Sequence, residues 1–337
     1  MSATTVSVVV TVRDEAGSIE ALLDSLAAQG RPPDEIVIVD GGSTDATPAI
    51  LAAWAERLPL RVLSRPGANI SAGRNAGIAA TSGVIVAVTD AGVRLAPDWL
   101  AALVAPFAAD PATQVVGGFF APDPRTPFEL ALGATTLPTR ADVRPDTFLP
   151  SSRSLALRRA AWVRVGGYPE WLDYCEDVIF DLKLRAACGP FAFAPAAVAH
   201  FRPRPTLRAF WHQYFRYARG DGKAGLFARR HAIRYATYLG AGAFLARGWR
   251  SPALWSFVVL AGVGYLRRPY VRLAPALAAL GPLERAQALA AVPIIRITGD
   301  LAKCAGYPVG LWWRWRRYGL RRSWRAIEAL ERDRRVG

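Results

Sequence analysis

VSVVVTVRDEAGSIEALLDSLAAQ, residues 6–29, changes its period part-way. Ser7–Val12 is a short β-branched run without polar alternation, the pattern of a strand covered on both faces. From Ile19 the apolar residues fall at Ile19, Leu22, Leu23 and Leu26, the stripe of a helix packed on one side, and Gly30-Arg31-Pro32-Pro33 stops it. The unit then repeats. Ile36–Val39 reads as a strand. Thr47-Pro48 reads as N-cap and N1 of a helix with Ile50, Leu51, Trp54 and Leu58 on one face. Arg61–Leu63, a helix over 71–80, and Val84–Val88 follow. Continuous apolar strands joined by helices predict an α/β fold with a mostly parallel central sheet flanked by helices.

The chain has 337 residues, enough for one large domain or two ordinary ones. Its formal net charge is +15, and Lys stands only at 183, 223 and 303, so the excess is arginine. Such an excess suits phosphates, nucleic acid or an anionic membrane face. Cys175, Cys188 and Cys304 are scattered, with no paired spacing, which points to a reducing compartment and no zinc site. MSATTVSVVV lacks a basic segment before its apolar run and reads as a strand rather than a signal peptide.

Beyond Gln114 the pattern becomes α+β. Val115–Phe119 reads as a strand, 121–150 as a loop rich in Pro and Arg, Ser154–Leu157 as a strand, and Arg158–Val165 as a helix ended by Gly166-Gly167. Glu176–Ala187 reads as a helix, Val198–Ala199 as a short strand ending in His200, and Leu207–Arg219 as an aromatic-rich helix. After about residue 225, apolar stretches at 235–246, 252–266 and 286–295 alternate with Arg-rich knots. Each is shorter than the roughly 20 residues a spanning helix needs, and 252–266 comes nearest. LWWRWRRYGLRRSWR (311–325) has the composition of a helix lying among lipid headgroups. Its Trp residues stand beside apolar runs rather than in a groove-reading motif, so no nucleic acid is expected.

In parallel sheets ligands bind beyond the carboxyl ends of the strands. Thr11–Glu15, Asp40–Asp45 and Asp90 all stand there. Capping of the next helix is the plain explanation for each acid. It weakens for Asp40 and Asp90 taken together, because Ser43, Thr44 and Thr47 already offer caps near the first.

These stretches, with IVIVDGGSTDAT (36–47), NISAGRNAGIAATSGVIVAVTDAG (69–92), SSRSLALRRAAWVRVGGYPE (151–170) and YCEDVIFDLKLRAA (174–187), occur in an order that resembles a family-2 glycosyltransferase of the GT-A fold. The resemblance is close over 6–100 and continues to about 220. It implies a catalytic domain over 1–225, with a nucleotide-binding half (1–100) and an acceptor half (101–225). Residues 226–337 resemble only the membrane-associated tails of such enzymes. Thr11, Arg13 and Glu15 would line the base and ribose pocket, and Asp40 would accept from the base or ribose. Gly41 stands where the family often has a second acid. Arg74 and Asn75 match a basic residue and amide beside the nucleotide, with Arg74 directed to the diphosphate. Asp90 matches the first acid of a D-x-D motif whose second position is here Gly92. A Mn2+ or Mg2+ ion would therefore be held weakly, by Asp90 and by His200, which resembles a late histidine ligand.

Glu176-Asp177 matches the family's acidic pair, with Asp177 the general base; adjacent acids on a helix diverge, so one faces the site. HQYFRY (212–217) resembles Q-x-x-R-W with Tyr217 for Trp, placing Gln213 with the donor and Arg216 at the leaving diphosphate. The implied activity is inverting transfer from a nucleoside diphosphate sugar to a glycan or lipid-linked acceptor, at the cytoplasmic face of an anionic membrane. The alternative is a nucleotide-sugar-binding or scaffolding protein impaired in turnover, motivated by Gly41 and Gly92. A dinucleotide-dependent dehydrogenase lacks its G-x-G-x-x-G after the first strand.

Overall fold

The computed structural model describes residues 4–249, 251 and 253–336. Their contacts form two compact units: residues up to 123 with 138–201, and 124–137 with 202 onward.

The first unit begins with β1 (Val6–Val12), α1 (Ile19–Ala27), β2 (Glu35–Asp40), α2 (Thr47–Ala55), β3 (Leu60–Ser64), α3 (Ile70–Ala80) and β4 (Ile85–Asp90). Then come β5 (Val93–Leu95), α4 (Trp99–Ala109) and β6 (Val115–Pro122); α5 (Pro127–Thr136) belongs to the second unit. β7 (Leu155–Arg158), α6 (Arg159–Val165), α7 (Glu176–Cys188) and β8 (Ala192–Phe201) complete the first unit. The strands form one sheet in the order β3-β2-β1-β4-β7-β6-β8-β5. The first four are parallel, β7 runs against both β4 and β6, β6 is parallel to β8, and β5 is antiparallel to β8.

Both sheet faces are covered, which is why β1 shows no polar alternation. Val8 and Val10 pack in one core with Leu22, Leu23, Trp99 and Leu103. Val9, with Val37 and Val86, packs in a second core with Ile78, Phe180 and Leu184. Two glycines let α3 lie close to β1: a Cβ on Gly77 would come within 2.6 Å of Val9, and one on Gly73 within 2.8 Å of Thr11. That close approach carries Arg74 and Asn75, between the two glycines, to the end of the sheet.

Three local expectations change. The hydroxyl of Thr47 does not cap α2, whose N-cap is Ala46; it accepts the Glu15 N–H at 2.9 Å and so ties the β1 loop to α2. The strand at 198–199 is the end of the ten-residue β8, whose first half carries Pro195 and a register shift against β6. The loop assigned to 121–150 contains α5, announced by Thr126-Pro127-Phe128-Glu129. There Thr126 Oγ1 accepts from Glu129 N–H and Glu129 Oε2 accepts from Arg125 N–H at 2.6 Å, a start built like a capping box.

The second unit contains α5, α8 (Leu207–Ala224), α9 (Ala228–Gly248), α10 (Ala253–Leu277), α11 (Pro282–Tyr318) and α12 (Trp324–Val336). Its core joins Ala131 and Leu132 of α5, Phe210 of α8, Leu273 of α10, and Ala288, Val292 and Ile295 of α11. The apolar stretch at 286–295 and the first half of the Trp–Arg segment, to Tyr318, lie on one 37-residue helix, while Trp324 and Arg325 at the segment's end begin α12. Among the described residues no helix is long and apolar enough to cross a membrane. The run nearest to it, at the start of α10, meets Arg267-Arg268 after about 14 residues, or roughly 21 Å of rise against a hydrocarbon core of about 30 Å.

Candidate active site

Strand register brings the suspected loops together. Asp40 on β2 pairs with Val12, and Asp90 on β4 pairs with Thr11, so three strand ends stand side by side. Arg74, 3% exposed, reaches this edge from α3. Its Nη2 donates to Asp90 Oδ1 at 2.8 Å and its Nη1 to Glu176 Oε1 at 3.0 Å. One guanidinium thus joins acids 86 positions apart in the chain, the separation of residues 90 and 176. The Arg74 guanidinium also lies 5.3 Å above the ring of Tyr168, which stacks on Phe180. Arg153, just before β7, brings its Nε to 3.3 Å from Asp90 Oδ2. Each oxygen of Asp90 therefore faces an arginine.

The acids divide into two electrostatic classes. Burial alone would raise the Asp90 pKa, but the charges of Arg74 and then Arg153 outweigh it and hold the carboxyl below its ordinary value. Burial, helped by the neighbouring Asp177, pushes Glu176 up to about 7 against the pull of Arg74. Asp177 is raised by burial too, opposed by Arg74 and by the Val178 N–H, which donates to its Oδ1 at 2.8 Å. Asp181, one turn further along α7 and 1% exposed, is raised well above the usual range, by burial and then by Asp177. Among the described residues neither of its oxygens has a hydrogen-bond partner. Among the described residues the four carboxyls Asp90, Glu176, Asp177 and Asp181 face Arg74 and Arg153, with Arg185 also bearing on Asp181, so the cluster keeps protons to higher pH or takes up positive charge. Cys175, in the left-handed region at φ 71°, turns the chain into α7, so that Glu176 and Asp177 occupy its first turn at the positive end of the helix dipole.

Asn75 uses its amide wholly within the protein. Its Oδ1 accepts the Tyr168 N–H at 2.7 Å and Trp162 Nε1–H at 3.1 Å, while Nδ2 donates to Tyr168 O and to Glu170 Oε1. It clamps the segment leading to α7. Asp40 Oδ1 accepts the N–H groups of Gly42 and Ser43 and the Ser43 hydroxyl, shaping the turn after β2. The Arg13 side chain is 65% exposed, and Glu15 accepts the Ser18 hydroxyl. A Cβ on Gly92 would meet nothing closer than Glu15 Oε2 at 3.9 Å, so the second D-x-D position is open space beside another acid.

His200 pairs with Arg94 across β8 and β5; burial and then Arg94 lower its pKa, with Asp123 opposing. Among the described residues no three His, Cys, Asp or Glu side chains are grouped to hold a metal ion, so Asp90 and His200 form no ready-made cage. Gln213 and Arg216 lie on α8 in the second unit, where Gln213 Nε2 donates to the Tyr217 hydroxyl at 2.8 Å. Arg153 and Asp181 are absent from the sequence reading. Asp181 had one available signal, its i+4 spacing from Asp177 on a helix face; a lone arginine in Ser151-Ser152-Arg153-Ser154 had none.

A half-parallel sheet with acids and arginines gathered at its strand ends is the GT-A fold of nucleotide-sugar transferases. Solved structures agree. A mannosyltransferase from Pyrobaculum calidifontis, solved with GDP-Man and Mn2+, matches with a TM-score of 0.56 and 23% identity over 92% of this chain and 87% of that one. S. aureus TarS 1-349 matches with a TM-score of 0.50 and 20% identity over 87% and 90%. Residues 7–161, somewhat less than half of the chain, match the model for glycosyl transferase family 2. Validoxylamine A glucosyltransferase of Streptomyces hygroscopicus subsp. limoneus is 30% identical over 126 residues, which are 36% of this chain and 28% of that protein. Succinoglycan biosynthesis protein ExoA of Rhizobium meliloti (strain 1021) is 29% identical over 237 residues, 66% of this chain and 71% of its own. The chain thus spans less than a third of the first relative.

Proposed function

We propose that the protein is an inverting glycosyltransferase, moving a sugar from a nucleoside diphosphate donor to a glycan or lipid-linked acceptor. The observation that carries this reading is the buried Arg74, which holds Asp90 and Glu176 at one strand edge with Asp177 adjoining. Asp177 takes the proton of the acceptor hydroxyl. The freed oxygen bonds to the anomeric carbon as the bond to the diphosphate breaks on the opposite face, and the electron pair departs with the diphosphate. Thr11, Arg13, Glu15 and Asp40 line the nucleoside site. Arg74 is engaged by two carboxylates; Arg153, a quarter exposed and 3.3 Å from Asp90, is the arginine of this edge that we assign to the diphosphate. Arg216 at the leaving group and Gln213 at the donor are assigned from the resemblance. Incubation with UDP- and GDP-sugars should release nucleoside diphosphate, and the product anomer should be opposite to the donor's. Tight donor binding with no turnover over a range of acceptors would instead favour a binding protein, the reading Gly92 motivates.

A divalent cation would be a guest of the donor's phosphates, water and Asp90, whose oxygens it would share with Arg74 and Arg153, rather than of a protein cage. When bound it supplies positive charge at the leaving diphosphate. Because Arg153 already supplies charge beside Asp90, chelation by EDTA should lower the rate by less than about tenfold, or roughly 1.4 kcal/mol of barrier. Complete loss of turnover in EDTA, restored by Mn2+, would show the cation to be indispensable.

The pH dependence follows from the raised acids. A base with an upshifted pKa keeps its proton to higher pH and is idle until it loses it. kcat/KM should therefore rise with pH through an apparent value near the 7 of Glu176 and level off above it. A profile already flat from about pH 5 would remove the Glu176–Asp177 pair from the proton transfer.

We also place the enzyme at the cytoplasmic face of an anionic membrane. The supporting feature is the second unit's exposed apolar side chains, including Trp249, Phe257 and Leu260, among its arginines.

A further inference from the structure

Within the second unit, α9, α10 and α11 gather an excess of positive charge around one acid. Asp300 on α11 accepts from Arg234 Nε at 2.8 Å, from Tyr238 at 3.4 Å and from Tyr265, and Lys303 Nζ lies 4.0 Å away. These groups are largely out of water: the side chains of Arg234 and Asp300 are 14% and 13% exposed and Lys303 28%. The Arg296 guanidinium stands 4.3 Å above the Tyr265 ring, and its Nε is buried with no hydrogen-bond partner among the described residues. Arg230, exposed on α9, adds a fourth cation that bears on Lys303. Among the described residues four cations crowd one carboxylate whose oxygens are already occupied. Their other hydrogen bond is that of Arg234 Nη1 with His231 Nδ1 at 3.0 Å, a ring that itself meets Asp221. Half-buried cations without counter-charge are unfavourable unless an anion joins them.

The surroundings narrow the anion. From Tyr238 onward α9 exposes Leu239, Phe244 and Leu245, and α10 exposes Phe257, Leu260 and Val263 before Tyr265. The Tyr238 and Tyr265 hydroxyls are 3.5 Å apart, and at the far ends of the two helices Trp249 meets Trp255, so the helices run as a hairpin with the cations at its base. We propose that Arg230, Arg234, Arg296 and Lys303 bind the phosphate headgroup of an amphiphile whose hydrocarbon lies along the exposed apolar side chains of α9 and α10. A phosphate supplies the missing charge and acceptors for forked arginine bonds, and an alkyl chain covers what the hairpin leaves open. Burial, with Arg234, Arg296 and Arg230 and against Asp300, pushes Lys303 down to about 8, and a bound phosphate would raise it again.

This site deepens the proposed membrane contact and is independent of sugar transfer, which donor turnover tests separately. Flotation of the full chain with phosphatidylcholine vesicles, with and without phosphatidic acid, reads it directly. Wild-type protein should float with the phosphatidic acid vesicles. Lys303→Met and the surface change Arg230→Gln should each weaken binding by up to about tenfold, while Arg229→Gln, an equal charge loss outside the cluster, should not. Amine labelling of Lys303 near pH 8 should be suppressed by phosphatidic acid vesicles. Equal losses in Arg229→Gln and Arg230→Gln, or unprotected Lys303, would overturn the site. Protection by inorganic phosphate as complete as by the vesicles would overturn the hydrocarbon half of the proposal and leave a free phosphate as ligand.

Discussion

Asp177→Asn should lower kcat by about 10²–10⁴-fold, the usual worth of a general base, without weakening donor binding. The amide has nearly the same shape and can still accept the Val178 N–H that now meets Asp177 Oδ1 at 2.8 Å, so the first turn of α7 should hold. What it cannot do is take a proton from an acceptor hydroxyl. The substitution has a second consequence. Asp177 is, after burial, the largest cause of the raised Glu176 pKa, so removing its charge should bring Glu176 down toward the ordinary carboxyl range. The residual activity of Asp177→Asn should then lose the acidic limb near 7. Turnover by release of nucleoside diphosphate and donor affinity by calorimetry separate these effects. Full activity in Asp177→Asn would move the base to Glu176, and Glu176→Gln would then carry the large loss.

The nucleotide-side half of the fold was legible because its strands are buried on both faces and its helices on one, which writes two distinct periods into the chain. β1, β2 and β4 could be read from valine and isoleucine runs alone, and the acids after them fell where a parallel sheet presents ligands. The site's wiring was not legible. Arg74 read as a phosphate ligand because an arginine beside a nucleotide loop ordinarily is one. Its 3% exposure and its two carboxylate partners depend on how α3 settles on β1 and where α7 begins, and neither is a local property. Asn75 likewise read as a nucleotide contact, whereas all its described bonds hold the segment before α7. Arg153 lies 63 positions after its partner, Asp90, and approaches it only because antiparallel β7 pairs with β4. In the second unit α5 was hidden inside a Pro- and Arg-rich stretch. Its capping signature was present, but the contacts that stabilise it come from residues more than 70 positions later. The apolar stretches after 225 looked like failed membrane spans because periodicity cannot report that α11 runs from the stretch at 286–295 into the Trp- and Arg-rich residues up to Tyr318 as a single helix.

Arg74→Met should destabilise the protein by about 3–5 kcal/mol near pH 8, the cost of leaving buried acids without their cation. Asp90 and Glu176 are 26% and 11% exposed, so water can replace little of what the guanidinium supplies. The pH dependence identifies the cause. In the wild type, Asp90 is held below its ordinary value, so its contribution is present above the unfolded value of 3.8 and fades as pH falls through the lower folded one. Glu176 has the opposite sign: folded, it keeps its proton up to about 7, so it opposes folding progressively as pH rises from 4.5 to that value. Without Arg74 both carboxyls shift upward and both acquire this second behaviour. The deficit of Arg74→Met against wild type should therefore be largest above neutrality and shrink toward pH 5, where protons replace the lost cation. Urea unfolding at about pH 8 and about pH 5 reads the difference. Arg74→Lys should recover little of the stability, because its one nitrogen cannot occupy the separate positions of Nη1 and Nη2 that meet the two acids at 3.0 and 2.8 Å. Turnover should fall in both variants, since the spacing of Asp90 and the α7 acids depends on that bridge. An Arg74→Met protein as stable as wild type at about pH 8 would mean that the acids are held by other contacts, and the bridge would lose its place at the centre of the site.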